Sequence, residues 1–365
     1  MGGKSLKYKN TKNVHYYLFG NGAINQLKEV LKDGYRIYFI DSYFENKKLI
    51  KDLPLQKDDE IIYVDTTNEP TTDKIDEYKQ YLVNKNKNNP STIIGIGGGA
   101  TLDSAKAVAN LLTNPGKAED YQGWDLVKNP AIYKIGIPTI SGTGAEASRT
   151  CVMTNVKSGL KLGMNSDYTI YDQLILDPNL TKTVPDEQYF YTGMDTYIHS
   201  FESLNGSFRH TVGDAFAREA IRLCKEVFDN ENMKSDENRE KLMTASYLGG
   251  CAIANSFVGV VHPFSAGLSV VFKIHHCEAN CITMRGMEEF YPKEYKEFFE
   301  MAEKQNIEIP SLSKYVKNID EDAFEKLYNS TIIHEKPLIN ALGEDFKEIL
   351  TYEKVKEIFK KMLKD

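Results

Sequence analysis

Residues 91–106 read STIIGIGGGATLDSAK, a short apolar run, three consecutive glycines, and a stretch with helical spacing. A strand that turns through glycine into a helix brings backbone N–H groups to the helix N-terminus with no Cβ atoms in the way, which is the geometry that receives a phosphate. The turn lacks the Gly-Lys-Ser/Thr of a Walker loop and departs from Gly-x-Gly-x-x-Gly. It reads either as a pyrophosphate-binding turn of another kind or as a bare strand-to-helix connection. On both sides of it, residues 36–41, 60–64, 133–138 and 169–176 form further strand-like runs, several of them separated by charged amphipathic segments. That alternation predicts βαβ units on a parallel sheet. After Asp177-Pro178 the texture changes to long helical spacings, which begin near Pro185 and run to the C-terminus. The expected class is α/β plus all-α: a Rossmann-like parallel-sheet nucleotide domain over residues 1–182, then an all-helical domain over residues 183–365.

Composition supports two domains. The chain has 365 residues, more than the roughly 250–300 at which single cores stop growing. With 41% hydrophobic and 27% charged residues it has a globular balance. A formal charge of -7 argues against binding nucleic acid or an anionic membrane, since both depend on clustered Lys and Arg. Residues 1–10 are polar and basic without an apolar core, so neither a secretory signal nor an anchor is expected there. The most apolar stretch, residues 248–264, is interrupted by Asn255, Ser256 and His262. It is short of the about 20 residues of a bilayer span and reads as a buried helix. Five cysteines, odd in number and without Cys-x-x-Cys, indicate reduced thiols and a cytoplasmic location.

A second small-residue loop, PTISGTGAE at 138–146, also follows a strand. Two such loops on one sheet can grip both ends of a nucleotide. Asp41, closing residues 36–41, is placed to accept hydrogen bonds from an adenosine ribose and to repel a 2′-phosphate, which favours NAD over NADP; an ordinary strand-ending turn Asp is the alternative.

In GMDTYIH, residues 193–199, Asp195 and His199 are four apart and share one helix face, as metal ligands do and as capping or surface pairs also do. His262 and His276 flank an apolar, glycine-containing segment in the same half, and only seven histidines occur in the chain. One carboxylate and three imidazoles suit one divalent metal, Fe²⁺ or Zn²⁺. With an open position, such an ion acts as a Lewis acid toward an alcohol oxygen, and hydride leaves for a nearby nicotinamide.

Taken together, the Gly-Gly-Gly-Ala-x-x-Asp-x-Ala-Lys turn, the Pro-Thr-x-x-Gly-Thr-Gly-x-Glu loop, Asp177-Pro178, the Gly-Met-Asp-x-x-x-His helix and the late histidines resemble, in order and content, the iron-containing alcohol dehydrogenase family over roughly residues 15–290. The resemblance implies a dehydroquinate-synthase-like fold and a homodimer. It assigns Asp195, His199, His262 and His276 as ligands, Gly97, Gly98, Gly99 and Asp103 to the pyrophosphate region, and Thr139, Ser141, Thr143 and Lys161 to the cofactor. YQGWDL at 121–126, LGMNSDY at 162–168 and the His275-His276 pair look like the branch that oxidises the C8 hydroxyl of 3-deoxy-D-manno-octulosonate (Kdo), a sugar acid, to an aldehyde for a PLP aminotransferase. A sugar-phosphate cyclase or lyase on the same fold, which usually uses a Glu and two His, is disfavoured by the Asp-x-x-x-His start.

One departure matters. Many members carry a proton-relaying histidine four residues after the first late ligand; here that residue is Ala266. His275 is the expected replacement, and packing or capping at its helix end is the alternative. A small residue at 266 also leaves room for a branched substrate. Arg149 and Lys273 are candidate partners for its carboxylate. Trp124 and Tyr121 are candidates to stack on a sugar face, with burial the commoner fate of a Trp.

Overall fold

The computed structural model describes residues 11–85 and 88–364. Among the described residues nine strands occur: β1 (Tyr16–Phe19), β2 (Arg36–Asp41), β3 (Glu60–Val64), β4 (Thr92–Gly97), β5 (Gly123–Trp124), β6 (Lys134–Pro138), β7 (Thr150–Asn155), β8 (Leu160–Asn165) and β9 (Gln173–Leu176). Four helices lie among them: α1 (Leu27–Val30), α2 (Lys48–Asp52), α3 (Thr72–Lys85) and α4 (Gly99–Leu111). Six strands form one parallel sheet in the order β1-β9-β6-β4-β2-β3. Both faces are covered, as an all-parallel sheet requires. In β2, Ile37 and Phe39 enter one buried cluster and Tyr38 and Ile40 the opposite one, and β4 divides Ile93 from Ile94 and Ile96 in the same way. The chain runs from β2 outward to β3, then crosses back to β4 and onward to β6 and β9. The order therefore reverses between β2 and β4, and ligands bind beyond the carboxyl ends of the strands at such a switch point.

The remaining helices are α5 (Asp186–Asn205), α6 (Thr211–Phe228), α7 (Asp236–Ser256), α8 (Val261–Phe272), α9 (His276–Met284), α10 (Pro292–Lys304), α11 (Glu321–Ile332), α12 (Glu335–Leu342), α13 (Phe346–Ile349) and α14 (Tyr352–Met362). From Tyr189 to Ser203 every residue of α5 is buried, so this helix forms the axis of the bundle rather than a surface element.

Two sequence expectations are corrected and one unforeseen element appears. Residues 169–176 begin as a single 3-10 turn (Asp167–Thr169), and only Gln173–Leu176 pairs in the sheet. Residues 248–264 are not one buried helix. α7 ends at Ser256, Phe257 takes φ +63°, and α8 leaves at 105° to α7. No single described helix is long and apolar enough to cross a membrane. Finally, β7 and β8 form an antiparallel hairpin that joins β5 in a separate three-stranded sheet, which the strand pattern did not suggest.

The loop after β6 joins the two halves. Gly142 donates its N–H to Ser246 Oγ at 2.8 Å and accepts from Thr196 Oγ1 at 2.6 Å, and Ser246 Oγ donates to Glu146 Oε1 at 2.7 Å. Behind it, the buried Lys106 ammonium donates to Ala145 O at 2.7 Å and ties α4 to the loop. The loop read from sequence as a nucleotide grip is therefore, on its inner side, a docking plug between sheet and bundle.

Candidate metal centre and cleft

A cleft of about 920 Å³ opens where the carboxyl ends of the parallel strands face the bundle. Its walls include Asp41 from the end of β2, Gly98, Gly99 and Asp103 from the glycine turn and α4, Thr139 and Thr143 from the loop after β6, and Lys161 from β8. The thirteen-residue α4 starts at Gly99, so its unsatisfied first-turn N–H groups lie at the cleft wall, as an anion site requires. Two expected contacts lie off the wall. Gly97 ends β4 with Thr101 packed over its α-carbon, and Ser141 is buried with no partner for its hydroxyl. Asp103 has a bracing role, because Oδ2 accepts from Val152 N at 2.9 Å and Oδ1 lies 3.5 Å from Lys106 Nζ. Asp41 Oδ1 accepts from Tyr43 N, and its carboxylate also receives Thr66 Oγ1.

At the inner end of the cleft, Asp195, His199, His262 and His276 bring one ligand atom each to within 4.8 Å of all the others. The Nε2 atoms of His262, His199 and His276 stand 3.2, 3.4 and 3.6 Å from the Asp195 carboxylate. The axial helix α5 supplies the first two candidate ligands, α8 the third at its second residue, and α9 the last at its first residue. Burial pushes His199 down to about 3 and His276 down to about 4, so both rings are neutral at pH 7 with a lone pair to give. Burial opposes ionisation of Asp195, but the neighbouring His199 and His276 hold its carboxyl well below the usual range. Four convergent donors in a buried site, one of them anionic, fit a divalent cation.

The surroundings of these ligands, missed in the sequence, complete the fit. Glu202 accepts from His262 Nδ1 and, through Oε1, from Val261 N at 2.6 Å. A carboxylate on Nδ1 keeps the proton there and leaves Nε2 free as the ligand atom. Burial lowers the His262 pKa while Glu202 and Asp195 raise it, for a net value of about 9 with no cation to compete. Asn280 donates to Asp195 Oδ1 at 2.7 Å. Glu69, from the loop after β3, accepts from His276 N at 2.9 Å and pairs with Lys161 Nζ at 2.5 Å, tying the last ligand to the opposite wall. Spacing could have revealed Glu202, which follows Asp195 by seven and His199 by three on one helix face, and Asn280, four after His276. Nothing in the sequence joins Glu69 to them.

Glu202→Gln tests this arrangement. With its N–H₂ toward Nδ1 the amide favours the tautomer that protonates Nε2, and with its oxygen there it sets N–H₂ against Val261 N–H, so neither orientation keeps both bonds. Metal affinity measured by chelator competition is expected to fall about 10–100-fold; an unchanged affinity contradicts the role.

Other expected residues are redistributed. Arg149 is bound by Asp167 at 3.1 Å and by Asp125 at 2.5 Å, away from the cleft wall, so it does not await a carboxylate. Lys273 is exposed at the left-handed end of α8. Tyr121 packs against the sheet domain. Trp124 is half-buried on the cleft wall, edge-on to Phe257. His275 is exposed, lines the cleft and is the N-cap residue of α9. Cys277 Sγ lies 3.7 Å from Asp195 Oδ2, and all five cysteines are free and buried. His334, unremarked in the sequence, lines the same wall as Ala266, and burial with Lys161 and His262 nearby pushes it down to about 4.

Residues 15–178 match the family model described as iron-containing alcohol dehydrogenase, and residues 189–337 match the C-terminal model of the Fe-containing alcohol dehydrogenase family. The chain belongs to the iron-containing alcohol dehydrogenase family. It is 34% identical to sulfoacetaldehyde reductase of Bilophila wadsworthia over 59% of this chain and 55% of that protein. It is 32% identical to NAD-dependent methanol dehydrogenase of Bacillus methanolicus over 54% and 52%. The matched region thus spans about half the length of these curated relatives. In fold it is similar to a 1,3-propanediol oxidoreductase, with TM-score 0.83, 20% identity, and 98% of this chain and 100% of that one covered. Sulfoacetaldehyde reductase from Bifidobacterium kashiwanohense, solved with NAD+, gives TM-score 0.78 at 21% identity, covering 97% and 98%.

Proposed function

We propose that the protein is a metal-dependent, NAD-linked alcohol dehydrogenase that oxidises the primary alcohol of a sugar acid, with the C8 hydroxyl of Kdo as the substrate best matched by its motifs. The observation that carries this reading is the convergence of Asp195, His199, His262 and His276 at the inner end of a cleft whose other wall is the start of α4. Residues 1–182 form the nucleotide domain and residues 183–365 the metal and substrate domain. Gly98, Gly99 and the first turn of α4 receive the pyrophosphate, Asp41 the adenosine ribose, and Thr139, Thr143 and Lys161 the nicotinamide half. NAD is favoured over NADP because of the Asp41 carboxylate. Fe²⁺ or Zn²⁺ fits the donors, and when bound it supplies Lewis-acid stabilisation of the alkoxide.

The chain's own groups do the rest. Glu202 and Asn280 orient the ligands, while Glu69 holds the start of α9 to the cofactor wall, so that donor carbon and acceptor ring meet in one geometry. Ala266, 7% exposed on the wall, leaves the space beside His262 that a polyhydroxylated chain needs. The alcohol proton passes to His275, which reaches solvent at the cleft mouth. His275→Ala is expected to lower kcat about tenfold or more with metal content unchanged. A larger loss in His334→Ala, measured beside it, moves the relay to that residue. A homodimer in the cytoplasm, with the aldehyde consumed by a PLP aminotransferase, completes the proposal.

A general alcohol dehydrogenase is the second reading, favoured by relatives named for simple alcohols, methanol and 1-propanol. Incubating the metal-loaded protein with Kdo and with simple diols, while following NADH absorbance and oxygen uptake, separates the two. Kdo-dependent NADH formation without oxygen uptake is expected. Diol turnover without Kdo turnover supports the second reading.

A further inference from the structure

Two lysines line the cleft, Lys161 and Lys336. Lys161 is neutralised by Glu69. Lys336, in the first turn of α12, makes no ion pair among the described residues. Its ammonium lies 3.9 Å from the centre of the Trp124 ring and 4.9 Å from that of Phe257, spanning from the bundle to the small sheet. The nearby Asp125 carboxylate is held by Arg149, and the neighbouring Glu335 pairs with Lys347. Lys336 is half-buried, and its desolvation is offset by the two aromatic faces and by the Asp125 carboxylate nearby, whose effect Arg149 opposes. His334 on the same wall is neutral and adds no charge.

A cation held on a cleft wall by two rings, with its acidic neighbours otherwise engaged, is free to take a stronger partner. We infer that Lys336 receives an anionic group, a carboxylate or its equivalent, carried by a substrate whose hydroxyl is held at the Asp195 cluster, with Trp124 as the floor beneath the ion pair. This rests on the proposed oxidation of a sugar acid and assigns the acid end of that substrate. It replaces Arg149 and Lys273, which the structure places elsewhere.

The test uses the metal- and NAD-loaded enzyme, with 6-hydroxyhexanoate, 1-hexanol and Kdo as probes. The kcat/KM ratio of 6-hydroxyhexanoate to 1-hexanol, and the calorimetric affinity ratio of the same pair, read the subsite whether or not Kdo is the substrate. Lys336→Gln is expected to lower both ratios by about tenfold or more, and Lys336→Arg to keep them within about threefold of wild type. Thermal melts of both variants check the fold. A wild-type preference for the acid that survives in Lys336→Gln overturns the assignment, as does the absence of any preference in the wild type. Kdo turnover reports separately on the proposed function. If Kdo is inert while the acid preference depends on Lys336, the subsite stands and the sugar assignment falls; if Kdo reacts and the preference survives Lys336→Gln, the reverse holds.

Discussion

Replacing Asp195 by Asn is expected to empty the metal centre and to lower turnover by about a thousandfold or more. Asp195 is fully buried, and it is the only one of the four donors that carries a negative charge. The three facing imidazole nitrogens lie 3.2–3.6 Å from it. Asn matches its volume and its oxygen can still accept from Asn280, so the bundle keeps its packing. The charge that draws a dication is gone, however, and the amide N–H₂ points at nitrogens that need open lone pairs. Loss of Lewis-acid stabilisation costs several kcal/mol at the transition state, and each 1.36 kcal/mol is about tenfold in rate. Elemental analysis of purified Asp195→Asn should show little bound metal with an unchanged melting temperature of the metal-free protein. One tightly bound metal per chain in the variant contradicts the ligand assignment.

The largest effect on stability is expected at Gly142. Its φ of +148° disfavours any side chain, and a Cβ there would lie 1.7 Å from the carbonyl oxygen of Thr192. The obstacle is backbone of the axial helix, so no rotamer change relieves it. Nearby, Gly144 and Gly250 approach so closely that a Cβ on Gly250 would stand 2.4 Å from Gly144 O. Sheet and bundle therefore meet backbone to backbone. Gly142→Ala must push the loop off α5 and break its hydrogen bonds to Ser246 and Thr196. Overpacking and backbone strain each cost about 1–3 kcal/mol, together roughly 3 kcal/mol or more. For a domain of this size the melting temperature should fall by about 6–12 °C. A melt within 2 °C of wild type, on the order of the scatter for a neutral change, excludes the docking role.

Much of this was legible in the sequence, for identifiable reasons. β2 and β4 are buried on both faces, so their apolar runs are continuous and their limits clear, and the edge strand β3 keeps an apolar run that is buried at Ile62 and Val64. The hairpin β7–β8 was not legible: Thr150, Thr154, Asn155 and Lys161 make it polar, and it stands in a three-stranded sheet apart from the main one. β1 is a four-residue, largely exposed edge strand. The break between α7 and α8 depends on Phe257 at φ +63°, a conformation that no pattern predicts for an aromatic residue. At the site, the resemblance named four candidate ligands, and their donor atoms lie within 4.8 Å of one another. Glu69 and Lys336 escaped notice because their significance is set by partners far off in sequence, His276 and Trp124. The loop at 138–146 showed its small residues but not their purpose: Thr139 and Thr143 reach the cleft, whereas Ser141 and Gly142 face inward.

In the proposed reaction, hydride passes directly from an alcohol held at the Asp195 cluster to a nicotinamide lying along the wall between the glycine turn and Lys161. Kdo carrying two deuterium atoms at C8 tests it in one experiment, with mass analysis of the cofactor after turnover by the metal-loaded enzyme. NADH bearing one deuterium is expected for each aldehyde formed, and none of this product once the metal is chelated. Deuterium appearing in water, or aldehyde formed with oxygen consumed and NAD unchanged, would contradict it.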